Sequence, residues 1–396
     1  MWPILAWART PVAPVGGALA HCSIHDLTQP LVAHLLARTG LPAQAVDALL
    51  LGNALGANGN PARMVALAAG LPERVAAVSI DSQCCAGMDA VTHACAWLAL
   101  GQADIAIAGG AEAWSRAPIR MHRPLDAAQA PVPFERPAFA PWPQRDPDLF
   151  DAAATGAAAS SCTRWAQDAW AVLSHQRARA TSGADAPPRP EIVPLAGLAH
   201  DAYPRALTAT RAARMPQLRA AHDAQGRDCG LSQIAVSPKA DGAALLLLAS
   251  PQACARWGVA PRAYWRAGVA LGAAPEQPMQ AAQQAALALL QRQRTTPEQL
   301  AILELHDAFA AQALGFAAAL GVAPQRLNQQ GGGLARGHPI GASGAIALVQ
   351  ALAQLVPCVP WAPATPGQLA LVAIAGAGGL GSATLLEAVG ADSVRF

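Results

Sequence analysis

The sequence predicts an α/β protein whose layers come from a duplicated unit. Short apolar runs alternate with amphipathic helical stretches, the pattern of packed helices and strands. Two pairs of strand-like segments recur in the same order in both halves. Hydrophobic residues make up 53% of the 396 residues and charged ones 13%, so a large core can form. At roughly 100–200 residues per domain, that length suits two or three domains.

The opening Met1-Trp-Pro-Ile-Leu-Ala-Trp-Ala-Arg-Thr-Pro11 reads as a first strand. It has no basic start followed by a long apolar segment, so it does not resemble a signal peptide, and a cytoplasmic protein is expected. Ala48–Leu51 and Val78–Ser82 read as strands, Gly87–Leu100 as a helix and Asp104–Ala108 as a strand ending in Gly109-Gly110. From Arg116 to about Gly230 the texture changes. Pro131, Pro133, Pro137, Pro141, Pro143 and Pro147 rule out regular helix or central strand there. This region reads as an irregular insertion holding one helix, Trp165–Ala180, and closed by the strand Ala243–Ala249. In the second half, Leu300–Leu305 reads as a strand, Ala308–Leu320 and Ser343–Leu355 as helices, and Leu369–Ala375 and Ser382–Leu386 as the last strands. Asp104-Ile-Ala-Ile-Ala-Gly-Gly resembles Leu371-Val-Ala-Ile-Ala-Gly-Ala-Gly-Gly, and Asp241-Gly-Ala-Ala-Leu-Leu resembles Gly381-Ser-Ala-Thr-Leu-Leu.

Several function classes recede on composition. The net charge of +2 gives no electrostatic case for nucleic acid. No apolar run approaches the roughly 20 residues of a membrane span. The eight cysteines form no Cys-x-x-Cys or Cys/His ligand cluster, so no metal site is expected.

Three segments carry titratable groups at predicted strand or loop ends. In Asp81-Ser-Gln-Cys84-Cys85-Ala-Gly-Met, two cysteines lie where a strand gives way to a helix. Unpaired amides at a helix start stabilise negative charge, and a thiol there can fall from about 8.5 towards neutrality. The bland reading is a pair of buried core cysteines. Physical reasoning alone does not choose between Cys84 and Cys85. In Gly331-Gly-Gly-Leu-Ala-Arg-Gly-His338-Pro-Ile-Gly, a histidine sits in a glycine-rich loop just before a helix, placed to accept a thiol proton. One alternative is a phosphate cradle, but Gly-x-x-x-x-Gly-Lys-Ser/Thr is absent and the only lysine, Lys239, lies elsewhere; the other is a structural loop histidine. In Glu304-Leu-His306-Asp307-Ala-Phe, His306 ends a predicted strand, with a turn-capping role as the alternative. A Cys/His/His constellation is more credible than its parts.

These segments, in their order and spacing, resemble the thiolase family over nearly the whole chain. Arg9-Thr-Pro11, Gly59-Asn-Pro-Ala-Arg63, Ala108-Gly-Gly-Ala-Glu-Ala-Trp-Ser-Arg-Ala-Pro118, Ser174-His-Gln-Arg-Ala178 and Ser237–Gly242 carry the resemblance with Gln83–Met88 and Gly337–Gly344. The register selects Cys84 as nucleophile and His338 as base. His306-Asp-Ala-Phe resembles the sterol-carrier-protein-like and archaeal branch. The resemblance implies a thiolase-like fold: two α/β halves in alternating helix and sheet layers with an inserted loop domain. The implied boundaries are 1–118 with 231–250 for the first half, 119–230 for the insertion and 251–396 for the second half. It implies an acyl-CoA acyltransferase that forms or cleaves 3-oxoacyl-CoA, with no cofactor beyond coenzyme A thioesters as substrates. It also implies an oxyanion site at the backbone amides of Cys84 and Ala377, Ser237 beside the pantetheine, and a homodimer or homotetramer. Arg211, Arg214 and Arg219 are candidates for the coenzyme's phosphates, against a plain solvated basic face.

One departure matters. The family's second reactive cysteine is replaced by Ala375, and the cysteine that follows His-Asp in the related branch is Ala308. His306 is left to take that role, or the second half-reaction differs. Two rivals remain at this stage: a decarboxylating ketoacyl-synthase-like condensing enzyme, and a thiolase-like scaffold subunit without turnover.

Overall fold

The computed structural model describes residues 1–56, 59–182, 186, 189–356 and 365–389. The first half runs β1 (Trp2–Arg9), β2 (Ala13–Pro14), α1 (Ile24–Thr39), β3 (Ala48–Gly52), α2 (Pro61–Ala68), β4 (Ala76–Ile80), α3 (Ala86–Ala99), β5 (Ile105–Ala113). An excursion follows: β6 (Arg120–His122), β7 (Val132–Phe134), α4 (Leu149–Ala159), α5 (Arg164–Ser182), α6 (Ala209–Ala212), β8 (Gln217–Arg219) and β9 (Leu231–Ser232). The chain returns through β10 (Ala240–Ala249). The second half comprises α7 (Pro251–Trp257), β11 (Ala263–Gly272), α8 (Ala281–Gln293), β12 (Leu300–Leu305), α9 (Ala310–Leu320), α10 (Gly333–Arg336), α11 (Ser343–Leu355), β13 (Leu369–Gly376) and β14 (Leu380–Ala388).

Local chemistry sets the helix ends. Ser23 caps α1 in a reciprocal box with Asp26, and Gly40 ends it in the left-handed region at φ 71°. Asn60 caps α2, with Pro61 at its first position. Strands β3, β5, β10 and β13 are buried on both faces and read as continuous apolar runs.

Neighbouring strands follow the order β4-β3-β5-β10-β1-β11-β14-β13-β12, with β2 paired to β10. The two halves meet where Trp2–Ile4 of β1 pair antiparallel with Ala263–Trp265 of β11. On either side of that joint the pairings repeat. β10 runs antiparallel to β5, which runs parallel to β3; β14 runs antiparallel to β13, which runs parallel to β12. The β3–β4 pairing has a trace in the second half, a single parallel bridge between Leu303 and Leu327.

Three apolar cores separate the layers. One lies between β1, β3, β5 and β10 and helices α1 and α2. A second lies between β12, β13 and β14 and helices α8 and α9. The third contains α3 and α11, which pack on each other between the two sheet regions. The order is therefore helix, sheet, helix, sheet, helix, with α3 and α11 in the middle.

The excursion packs on the second half: Ala153, Trp170 and Ala171 join the core of α8 and α9. Pro133 does occupy a strand, but in an isolated hairpin of β6 and β7 where no third strand requires its missing N–H. Among the described residues no helix is long and apolar enough to cross a membrane.

Candidate active site

Both middle-layer helices point their N-termini at one place. After β4 the chain turns through a short 3-10 segment, Gln83–Cys85, into α3. Gln83 adopts φ 56°, in the left-handed region that non-glycine residues rarely occupy. Asp81 holds it there, accepting hydrogen bonds from its backbone N–H at 2.9 Å and its side-chain amide at 3.2 Å. This kink separates the two cysteines. Cys85 Sγ points into the middle core and donates to Ile374 O at 3.7 Å, while Cys84 stays half-buried and faces the opposite loop.

That loop carries His338. Its Nε2 lies 3.1 Å from Cys84 Sγ, across 254 residues of sequence. Its Nδ1 lies 2.7 Å from Ser343 Oγ, and that hydroxyl donates to Pro339 O at 3.0 Å. A hydroxyl that gives its proton to a carbonyl offers only lone pairs to the ring. The network therefore assigns the proton to Nδ1 and leaves Nε2 free to accept from the thiol. Ser343 escaped the sequence reading as a functional residue, although it lies inside the Gly337–Gly344 motif.

His306 stacks on His338, with ring centroids 4.4 Å apart and planes 28° apart. Its Nε2 is buried and has no hydrogen-bond partner among the described residues. Asp307, next in sequence, accepts from Trp170 Nε1 at 2.9 Å and from the Gly333 amide at 2.5 Å, fixing α5 and the glycine-rich loop to this turn.

Residues 236–239 stitch the two imidazole loops together. Val236 bridges to Phe309, and Lys239 bridges to His338. The Ser237 amide donates to Ala308 O at 2.9 Å, and the His338 amide donates to Pro238 O at 2.7 Å. The Ser237 hydroxyl is itself engaged, donating to Gly333 O at 2.6 Å. Of the arginine candidates, Arg219 pairs with Asp148 and Asp151, and Arg211 donates to Ala206 O at 3.1 Å.

Electrostatics correct one expectation. Burial pushes the Cys84 thiol up to about 12, and this outweighs the backbone N–H groups of Ala377 and Cys84 that pull it down. Burial also pushes His338 down to about 4. His306 is held well below its ordinary value by burial first, then by His338 and Arg336. Burial thus favours a neutral thiol beside a neutral imidazole. The amides of Ala377 and Cys84 do act on the sulfur, but its desolvation is larger.

Among the described residues no second thiol stands at either position where the family resemblance leads one to look for it. Ala375 is the next-to-last residue of β13, and Ala308 packs at the edge of the α8–α9 core, its amide donating to Gln312 Oε1 at 3.0 Å.

A family model described as Thiolase, N-terminal domain, matches residues 3–252, and one described as Thiolase, C-terminal domain, matches 259–388. This chain belongs to the thiolase family. The thiolase is 34% identical over 361 residues to a Staphylococcus haemolyticus protein named "Putative acetyl-CoA C-acetyltransferase VraB", covering 89% of this chain and 92% of the relative. It is 35% identical over 346 residues to YhfS of Bacillus subtilis, which bears the same enzyme name, covering 87% of this chain and 88% of the relative. Among solved structures, the acetyl-CoA acetyltransferase of Bacillus anthracis superposes with a TM-score of 0.86 at 27% identity, covering 98% of each chain. The Acat5 thiolase of Ascaris suum in complex with coenzyme A superposes with a TM-score of 0.81 at 26% identity, covering 98% of this thiolase and 100% of that chain.

Proposed function

We propose that this thiolase is an acyl-CoA acyltransferase that forms or thiolytically cleaves 3-oxoacyl-CoA through an acyl-Cys84 intermediate. The observation that carries the reading is the 3.1 Å contact between Cys84 Sγ and the unprotonated Nε2 of His338. As sulfur attacks the thioester carbonyl, His338 takes its proton, so the thiolate forms only during the reaction. The amides of Cys84 and Ala377 receive the developing oxyanion. When the tetrahedral adduct collapses, the C–S bond to coenzyme A breaks, and the departing thiolate recovers the proton from His338.

The second half-reaction makes or breaks a carbon–carbon bond and needs a proton moved at carbon. With alanine at 375 and 308, His306 is the titratable group left beside the pair. Its partnerless Nε2 supports a role holding the thioester oxygen of the second substrate. Ser237, on the segment that joins the two histidine loops, is the residue we assign to the border of the pantetheine arm. The half-exposed edge strand β4 (Ala76–Ile80) and the exposed Met64 and Leu67 of α2 support a homo-oligomer. The matching families and the names of the relatives favour this reading over a decarboxylating condensing enzyme or an inert scaffold.

The test is a panel of 3-oxoacyl-CoA esters with free coenzyme A. Wild type should release two acyl-CoA products, and Cys84→Ser, folded, should release none. His306→Ala should still exchange labelled coenzyme A into acetyl-CoA but lose carbon–carbon cleavage. Cleavage by Cys84→Ser would end the covalent scheme, and full cleavage by His306→Ala would end the role given to that imidazole.

A further inference from the structure

Glu112 sits at the end of β5, fully buried, with no cation paired to it among the described residues. Its two oxygens are saturated by N–H donors from two separate loops. Oε1 accepts from Asn53 Nδ2 at 2.7 Å and from the Leu55 amide at 3.4 Å. Oε2 accepts from the Ala54 amide at 3.0 Å and from the Gly341 amide at 2.9 Å. Residues 53–55 follow β3. Gly341 lies three residues beyond His338, in the turn that starts α11.

The surroundings leave that turn no slack. A Cβ on Gly110 would come within 2.0 Å of Gly341 O, and one on Gly87 within 2.6 Å of the same oxygen. A Cβ on Gly341 would lie 2.7 Å from Asn53 Cα. Gly87 is three residues past Cys84. The Gly341 turn is thus wedged between the helix that begins at the nucleophile, the strand that ends in Glu112 and the turn after β3.

We propose that Glu112 is a positioning residue for the Cys84–His338 pair, its carboxylate cinching the His338 loop to the turn after β3. The proposal rests on the acyl-Cys84 reading for its kinetic consequence but not for its geometry. The charge is required by donor counting. Each oxygen faces two N–H groups, so an amide nitrogen or an acid proton at either place sets donor against donor. The charge does not serve the thiolate directly, because the Glu112 carboxylate raises the Cys84 thiol. Its contribution is mechanical. Burial pushes its own carboxyl up to about 7, against the pull of the Ala54, Gly341 and Leu55 amides, with Asp81 adding to the rise.

The experiment compares wild type with Glu112→Gln, which keeps shape and removes the charge. Two quantities are read: kcat and KM for thiolysis of acetoacetyl-CoA, and the Cys84 Sγ to His338 Nε2 separation in a crystal structure of the variant. We expect kcat to fall about 10- to 100-fold at unchanged KM, the scale of a displacement of roughly 1 Å between reacting groups. The pair should open beyond contact. Wild-type kcat in Glu112→Gln overturns the proposal, and so does a lowered kcat with the pair still at its original separation. If Glu112→Gln does not fold, Asn53→Ala, which keeps all three amide bonds, should lose about threefold to tenfold in kcat with a measurable shift of the pair. No loss and no shift would overturn the proposal. A wild type inactive on every 3-oxoacyl-CoA would sink the thiolytic reading alone, and the separation would then decide the case of Glu112.

Discussion

Replacing Ser343 with alanine removes the hydroxyl oxygen that lies 2.7 Å from His338 Nδ1, at a residue with no solvent exposure. The ring N–H then loses the acceptor that the described residues give it. Leaving a buried donor unsatisfied costs about 1–3 kcal/mol. The ring escapes that cost by moving its proton to Nε2, which aims a donor at the sulfur it must deprotonate. Either way the reactive tautomer is disfavoured by about that energy. At about 1.36 kcal/mol per factor of ten, kcat should fall roughly 5- to 150-fold. KM should hardly change, because Ser343 lies behind the ring and away from the sulfur. The assay is thiolysis of a 3-oxoacyl-CoA, followed by loss of its enolate absorbance, with circular dichroism to show that the fold survives. A folded Ser343→Ala enzyme within twofold of wild-type kcat would refute the tautomer argument. A change confined to KM would refute it equally.

Three further outcomes follow from the same coordinates. Cys85→Ala should acylate normally, because its sulfur faces Ile374 O in the core; acyl-enzyme trapped on the Cys84-containing peptide checks this by mass spectrometry, and failure to acylate would give Cys85 a chemical role. With the Cys84 thiol raised to about 12, its ionised fraction should climb with pH right through the neutral range. Iodoacetamide labelling of Cys84 in the free enzyme should therefore rise from pH 7 to 10 without a plateau, and a plateau near neutrality would mean a resting thiolate–imidazolium pair. Arg9→Ala should cost about 3–5 kcal/mol, since it strands the buried Asp201 carboxylate that Arg9 grips at 2.6 and 3.0 Å. Denaturant unfolding monitored by tryptophan fluorescence measures it, and a loss under about 1 kcal/mol would show that Asp201 finds other partners.

Strong local periodicity made much of the layered fold legible. Leu300–Leu305 and the helix from about Ser343 to Leu355 are plain in the sequence, because each is an uninterrupted apolar or amphipathic run between turn residues, and the structure has them there. Helix α1, strand β11 and helix α8 were not read. In β11 the burial is only partial along most of its length, so no apolar run marks it. The chemical residues divide along the same line. Cys84, His338 and His306 stand in short motifs, each at the end of an element. The choice between Cys84 and Cys85 depended on family resemblance, because it is made by one left-handed residue, Gln83, whose φ leaves no trace in composition. Glu112 was legible only as part of a motif. Its partner Gly341 is 229 residues away, and nothing local announces a carboxylate that will meet four N–H groups. The thiol's ionisation is illegible for a similar reason: the helix start is visible in sequence, whereas the burial that raises the thiol is a property of the assembled layers.

Duplication explains why residues so far apart form one site. In the first half, β4 leads into the loop of Cys84 and then into α3. In the second half, the stretch that bridges Leu303 through Leu327 leads into the glycine-rich loop of His338 and then into α11. Nucleophile and base thus occupy equivalent positions in the two units, and packing α3 against α11 in the middle layer brings the two helix starts together. The repeat supplies a matched pair of loops, and the chain has specialised each. The first half holds its thiol with a strained turn fixed by Asp81; the second holds its imidazole with Ser343 and, through Gly341, with Glu112 from the first half. Acyl transfer between sulfurs needs only this pair. Chemistry at carbon needs a further group, and the strand end where the family keeps a second thiol holds Ala375 instead. His306, stacked on the base with a ring nitrogen that has no hydrogen-bond partner among the described residues, is the group to which our proposal gives that work, so the proposal requires His306→Ala to lose carbon–carbon cleavage while acyl exchange survives.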